Sequence, residues 1–382
     1  MIGQALTTAI FALMTFGVAW TQAQTYTVLH RFAGTDGSNP EAGLIADPAG
    51  SLFGTTSFGG AADNGNVFRL DETGLAVLYT FTGEIDGGQP EAALIRDPAG
   101  NLYGTTEFGG AGWGTVYKVD AAGTETVLHR FGTRTGDGKF PYAGLMRDSA
   151  GNLYGTTKRG GDTNDGTIFK LDKTGETVLH SFAGGDGRRP YAGLIQDSAG
   201  NLYGTTNEGG DTNVGTVFKL DKTGTETALH TFRVDVGDGG RPVAGLIQDA
   251  AGNFYGTTEF GGASGYGIVF RLDTAGTETV LYSFTGGADG GYPVAGLAQD
   301  PEGNLYGAAS GGGAANHGVV YKLDTTGRQT VLYTFTGGAD GARPMAGLFR
   351  DSAGNLYGDT YGGGNTSAAC GGSCGVVFMI AP

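Results

Sequence analysis

Cysteine is almost missing from this chain: two residues, Cys370 and Cys374, in 382 exclude both a disulfide-framed scaffold and a zinc-type cysteine set. No cluster of Lys or Arg relieves a net charge of -15, which argues against phosphate-rich nucleic acid and disfavours anionic membrane surfaces as partners. There is no Gly-X-Y period, and the 76 glycines must therefore serve turns rather than a triple helix. Neither a G-x-S-x-G elbow nor an H-E-x-x-H pair occurs. Gly-Gly pairs such as Gly59-Gly60 and Gly109-Gly110 lack the helix and the Lys-Ser/Thr that a phosphate cradle needs.

Long apolar runs are missing too, apart from residues 5–20, which have the length of a signal-peptide core. Thr21-Gln22-Ala23 then gives a small-residue end suited to cleavage after Ala23, although no Lys or Arg precedes the run. Thr7, Thr8 and Thr15 interrupt it, and it falls short of the about 20 residues a spanning helix needs. Residues 1–23 are therefore expected to be a signal peptide, and the mature chain, residues 24–382, to be secreted without a membrane span.

What the sequence does have is repetition. Asp-Gly-x-x-Pro begins at Asp36, Asp86, Asp137, Asp186, Asp238, Asp289 and Asp340, a period of about fifty residues. Each copy holds four runs rich in β-branched and aromatic residues. In the fourth these are residues 191–196 (YAGLIQ), 201–206 (NLYGTT), 215–220 (GTVFKL) and 226–232 (ETALHTF). Asp/Gly turns join the first run to the second and the third to the fourth, so the unit reads as an antiparallel four-stranded meander. One such sheet cannot bury both apolar faces alone and must stack on its copies. The chain opens with a lone fourth-type run, residues 27–32, and its last copy stops after the third run, residues 376–380. The expectation is an all-β, seven-bladed β-propeller whose last blade is closed by the N-terminal strand, since a ring uses this offset to pair an exposed edge.

In such a meander the tight turns share one face. The other face carries the connections between second and third strands and between blades, which vary, and variable loops on a rigid scaffold are where binding sits. The candidates there are Phe58, Phe108, Phe260 and Tyr361 in the loops, with Glu41, Glu91, Tyr142 and Tyr191 at the heads of first strands, nearest the channel. Tyr and Phe at a mouth can stack on sugar rings or partner side chains, or simply plug the channel. No residue is singled out as catalytic. Four histidines, His30, His129, His180 and His230, recur at one position of the fourth strand, where other copies have Tyr79, Tyr282 and Tyr333, and this reads as packing. The Asp-Gly-x-x-Pro carboxylates read as turn acceptors. Ca²⁺ held by these loops is the alternative weighed, but the spacing lacks the alternating aspartates of calcium loops, so no cofactor or metal is expected. Cys370 and Cys374, with three residues between them, suggest a local disulfide in an exported chain.

The repeated elements Ala192-Gly193-Leu194, NLYGTT at 201–206, Gly209-Gly210 and GTVFKLD at 215–221 resemble the GloVer tandem-repeat, or choice-of-anchor, family of bacterial secreted and surface proteins. That resemblance implies export and a propeller-like repeat, but no enzymatic activity. Members commonly carry a C-terminal anchoring device; this sequence ends at Pro382 directly after a strand, so release is expected. The reading is a monomeric, non-catalytic extracellular module that binds a protein or glycan through the loop face. The alternative is a propeller-type hydrolase or lyase acting on an extracellular carbohydrate or lactone, with Glu41 and Glu91 at the channel mouth.

Overall fold

The computed structural model describes residues 24–365 and 367–382; the expected signal peptide lies outside them. Seven four-stranded antiparallel sheets form a ring. Blade 4 shows the pattern: Ile195–Gln196 is innermost, then Leu202–Thr206, Thr216–Leu220 and the outer Glu226–Thr231. In blade 7 the outer strand is the N-terminal Thr25–Arg31, which pairs antiparallel with the C-terminal Val376–Ala381 from Thr25↔Ala381 to Arg31↔Val376. The offset in the sequence therefore closes the ring.

The second and third strands are buried almost throughout, because neighbouring blades cover both their faces. A phenylalanine or tyrosine of each third strand meets the phenylalanine after the preceding blade's outer strand edge-to-face. Phe182–Phe218 and Phe232–Phe270 both lie at 5.2 Å. The same contact spans the junction of the chain ends, Phe32–Phe68 at 5.4 Å, and all six of these phenylalanines are fully buried. Each buried ring contributes roughly 1.5–3 kcal/mol by leaving water. The glycine of the second strand makes room for it: a Cβ on Gly204 would lie 2.7 Å from Phe218 Cζ.

The turn between first and second strands is built on one aspartate. In blade 4, Asp197 accepts from the Asn201 backbone at 2.8 Å, the Asn201 side chain at 2.7 Å and the Tyr203 hydroxyl at 2.9 Å, while Gly200 takes φ 85°. Burial works against the charge of Asp197, but these donors hold its carboxyl below the usual range.

The innermost strands are shorter than the sequence suggests: of residues 191–196 only Ile195–Gln196 pair in the sheet. The cause is crowding at the axis. Gly193 passes so close to the neighbouring blade that a Cβ would sit 3.0 Å from the Gly144 carbonyl oxygen. The freed backbone is held instead by threonines of the preceding blade, as where Thr156 Oγ1 donates to the Ala192 carbonyl at 3.0 Å.

Candidate functional site

On the loop face, the Asp-Gly-x-x-Pro segment entering each blade is cross-linked to that blade's own loop between second and third strands. Ser38 bridges Phe58, Arg188 bridges Glu208, and Gly138–Lys139 pairs with Arg159–Gly160. The residue before each proline is left-handed although it is not glycine, as at Asn39 (φ 56°), Arg189 (φ 52°) and Tyr292 (φ 57°). Such strain persists only where hydrogen bonds over-determine it. Arg189, for example, donates its N–H to Asp165 and accepts from Asn207. The result is a stiff rim.

Inside that rim, Glu41, Glu91, Tyr142 and Tyr191 line a central cavity of ≈ 170 Å³ together with Val243, Val294 and Met345. The mouth is two-sided, with acids and tyrosines from blades 1–4 facing apolar side chains from blades 5–7. Tyr142 and Tyr191 meet edge-to-face at 5.1 Å, and Lys158 Nζ lies over both rings, 5.4 Å and 4.8 Å from their centroids. Lys158 also pairs with Glu107 Oε1 at 3.3 Å.

Phe58, Phe108 and Phe260 are not among the residues lining this cavity. The period of two along a strand explains it: the residue directly after the second strand turns inward, as Glu107 and Lys158 do, and the next turns away. Phe108 packs on Phe140 at 5.6 Å, and Phe260 on Tyr292 at 5.7 Å with Arg241 above it. Tyr361 is half-buried, and the Glu41 and Glu91 carboxylates add to burial in raising its hydroxyl pKa.

The acids are strongly perturbed. Burial pushes Glu41 up to about 7, with the Glu107 carboxylate adding to the effect and the neighbouring Ser57 and Tyr142 hydroxyls opposing it. Burial, then the nearby Glu41 and Glu107 carboxylates, push Glu91 up to about 9 against the pull of Lys158, and Glu91 Oε2 is buried without a hydrogen-bond partner. Sequence reasoning missed a further acid, Asp359. It stands where five of the other six second strands have the threonine that donates to the next blade, is buried, and has no partner for either oxygen. Burial, with Glu41 beside it, raises its pKa far above the carboxylate range. The signal was present in the sequence as the one break from threonine to acid, LYGDT at 356–360.

Two further features lie outside the mouth. The unrepeated His317 packs over Gly337, where a Cβ would meet its ring at 2.3 Å. Cys370 and Cys374 are bonded through sulfur, with Cα atoms 5.3 Å apart, at the seam between blades 7 and 1. No helix among the described residues is long and apolar enough to cross a membrane.

No curated protein matches the sequence. Among solved structures the fold is similar to virginiamycin B lyase from Staphylococcus aureus, at 12% identity and TM-score 0.61, covering 94% of this chain and 100% of that one. It is similar also to the extracellular domain of what is described as a one-component system from B. thetaiotaomicron, at 14% identity and TM-score 0.58. That match covers 94% of this chain but only 41% of the other. A chain described as a 6-phosphogluconolactonase from Bacteroides fragilis matches at 17% identity and TM-score 0.51, covering 81% and 86%. At these identities the likeness is one of fold. The family is carried by the repeat itself: the Gloeobacter/Verrucomicrobia repeat matches residues 14–197 and 173–378, and the chain belongs to that family.

Proposed function

We propose that this propeller is a secreted module that binds one sugar unit of an extracellular glycan at the channel mouth. The observation that supports the reading is the unrepeated group of Glu41, Glu91, Tyr142, Tyr191 and Lys158 in one half of the mouth, opposite Val243, Val294 and Met345. A sugar ring has the matching two-sidedness, with hydroxyls at its edge and C–H groups on its faces. With Glu91 held protonated and Lys158 paired to Glu107, the mouth offers hydroxyl-type donors and acceptors with little net charge. The ≈ 170 Å³ volume suits one small unit rather than a drug-sized ligand, for which pockets run to about 300–1,000 Å³. The likeness to an extracellular domain accords with export.

A second reading rests on the spread between Glu41, at about 7, and Glu91, at about 9. Two carboxyls whose environments separate their proton affinities suit a base and an acid, so the site would cleave an extracellular carbohydrate or lactone with Glu91 as the proton donor. Calorimetric titration with a panel of mono- and oligosaccharides, beside an activity panel, separates the two. Binding without turnover, lost in Tyr191→Ala, supports the module. Turnover abolished by Glu91→Gln with binding retained supports the enzyme. Failure of every sugar and ester to bind or react overturns both.

A further inference from the structure

We propose that His129, Asp137 and Glu176 form a divalent transition-metal site of the Zn²⁺ class that staples blade 2 to blade 3 at the rim of the ring, away from the channel mouth. His129 lies on the outer strand Glu125–Arg130 of blade 2, Asp137 opens the connection to blade 3, and Glu176 is the second residue of the outer strand Gly175–Ser181 of blade 3. One donor atom from each lies within 4.8 Å of the other two, as is also true of His180, Asp186 and Glu226, where the hydrogen bond between His180 and Asp186 already engages two of the three donors.

The argument is a contrast within the repeat. In three other blades the same histidine is hydrogen-bonded to the same aspartate: His30–Asp36 at 2.8 Å, His180–Asp186 at 2.9 Å and His230–Asp238 at 3.0 Å. Here His129 Nε2 and Asp137 Oδ1 stand 3.6 Å apart, too far for that bond. It is close to the roughly 3.4 Å edge of a tetrahedron with about 2.1 Å metal–ligand bonds.

His129 Nε2, Asp137 Oδ1 and Glu176 Oε1 are all buried and all without a hydrogen-bond partner. The Asp137 side chain is wholly inaccessible and that of Glu176 is 1% exposed. Three such groups left facing one another would each cost free energy, which a shared cation removes.

Their remaining atoms are already held. Asp137 Oδ2 accepts from the Thr133 backbone at 3.1 Å, and Arg134 binds Glu176 Oε2, leaving one oxygen of each carboxylate for a metal. The donor set of one imidazole and two monodentate carboxylates fits Zn²⁺ with a fourth position for water. It does not fit Ca²⁺, which takes six to eight oxygens. Asp137 also lines, with Arg134 and Trp113, a cavity of ≈ 560 Å³.

The test is calorimetric titration of chelator-stripped full-length protein with Zn²⁺, repeated with Co²⁺ for its visible absorption. One equivalent per chain is expected, undisturbed by excess Ca²⁺. The informative variant is His129→Tyr, because Tyr79, Tyr282 and Tyr333 occupy this position elsewhere and bond their aspartates at 3.0 Å, so the blade has a native way to fold with it. It should lose affinity by more than the roughly 10- to 100-fold that removing a ligand's supporting partner costs. His180→Tyr should leave the stoichiometry and affinity unchanged. Absence of stoichiometric uptake, full uptake by folded His129→Tyr, or loss in His180→Tyr instead would each overturn the assignment.

Discussion

The two faces of this ring use the same residue type in opposite ways. On the tight-turn face, Asp197 sits among donors that its own turn supplies, and its carboxyl is held low despite burial. Beside the channel mouth, Asp359 is fully buried with neither oxygen bonded, and its carboxyl is forced high. The first arrangement recurs from blade to blade, as at Asp148 and Asp249, and the second occurs once among the described residues. A repeat protein thereby labels its own parts: what recurs keeps the ring standing, and what departs from the repeat at a stability cost is where a particular function can be built.

The comparison is broken most severely at the seam, where the repeat has no covalent continuity. Deleting residues 25–32 removes the outer strand of blade 7 and the Phe32–Phe68 contact, and uncovers the edge of Val376–Ala381. The loss should exceed the roughly 3–5 kcal/mol of one buried phenylalanine and appear as a large drop in melting temperature. An unchanged melting temperature would mean that the seam does not hold the ring.

The Cys370–Cys374 bond lies at the same seam but closes only a short loop, so the chain-entropy argument assigns it about 2 kcal/mol. The double Cys→Ser variant should lose about that much, and intact-mass measurement with thiol labelling on the purified protein should find no free thiol. Two reactive thiols would remove the bond from the account.

The acids of the mouth sharpen the contrast through pH. Glu91 has a folded pKa of about 9 against an ordinary 4.5, so it stabilises the fold fully below pH 4.5, and that contribution is lost as pH rises towards 9. Glu41 acts in the same direction between 4.5 and about 7. Denaturant midpoints measured from pH 5 to 9 should therefore fall with rising pH, and Glu91→Gln should flatten the slope most at the alkaline end. Asp359→Thr, which restores the residue of five other blades, should raise stability at neutral pH. A midpoint in Glu91→Gln that tracks the parent at every pH would show that Glu91 titrates normally.

Much of this division could be read from the sequence. Blade number, strand order and the borrowed strand follow from the seven Asp-Gly-x-x-Pro copies and from the incomplete runs at 27–32 and 376–380. The placement of Glu41, Glu91, Tyr142 and Tyr191 around the channel follows from their position ahead of each innermost strand. The shortening of those strands to pairs such as Ile195–Gln196 could not be read, because it arises from seven backbones meeting at one axis, a contact between copies rather than within one. Likewise Glu107 and Lys158 turn inward while Phe108 turns away, a distinction of one residue in register that composition does not carry. The opened His129–Asp137 pair is a difference of under one ångström between otherwise equivalent positions, legible only in coordinates.

The smallest effect tests whether departures from the repeat really carry a cost. Tyr321 stands in the third strand of blade 6 where Phe218 and Phe270 stand in blades 4 and 5. It is fully buried, and its hydroxyl has no partner. That hydroxyl lies against the backbone of Gly307, where a Cβ would be only 2.5 Å away, in space that phenylalanine leaves free in other blades. Replacing it with phenylalanine removes a stranded polar group while keeping the ring contact with Phe284 at 5.1 Å. Tyr321→Phe should therefore gain about 1 kcal/mol. In a chain of this length the per-residue unfolding entropy makes that a rise of only about 1–2 °C in Tm. Tyr117→Phe in blade 2 should behave alike, since its hydroxyl is stranded in the same place. A fall in Tm in both would mean that these hydroxyls are bonded and that the seam between blades tolerates variation without penalty.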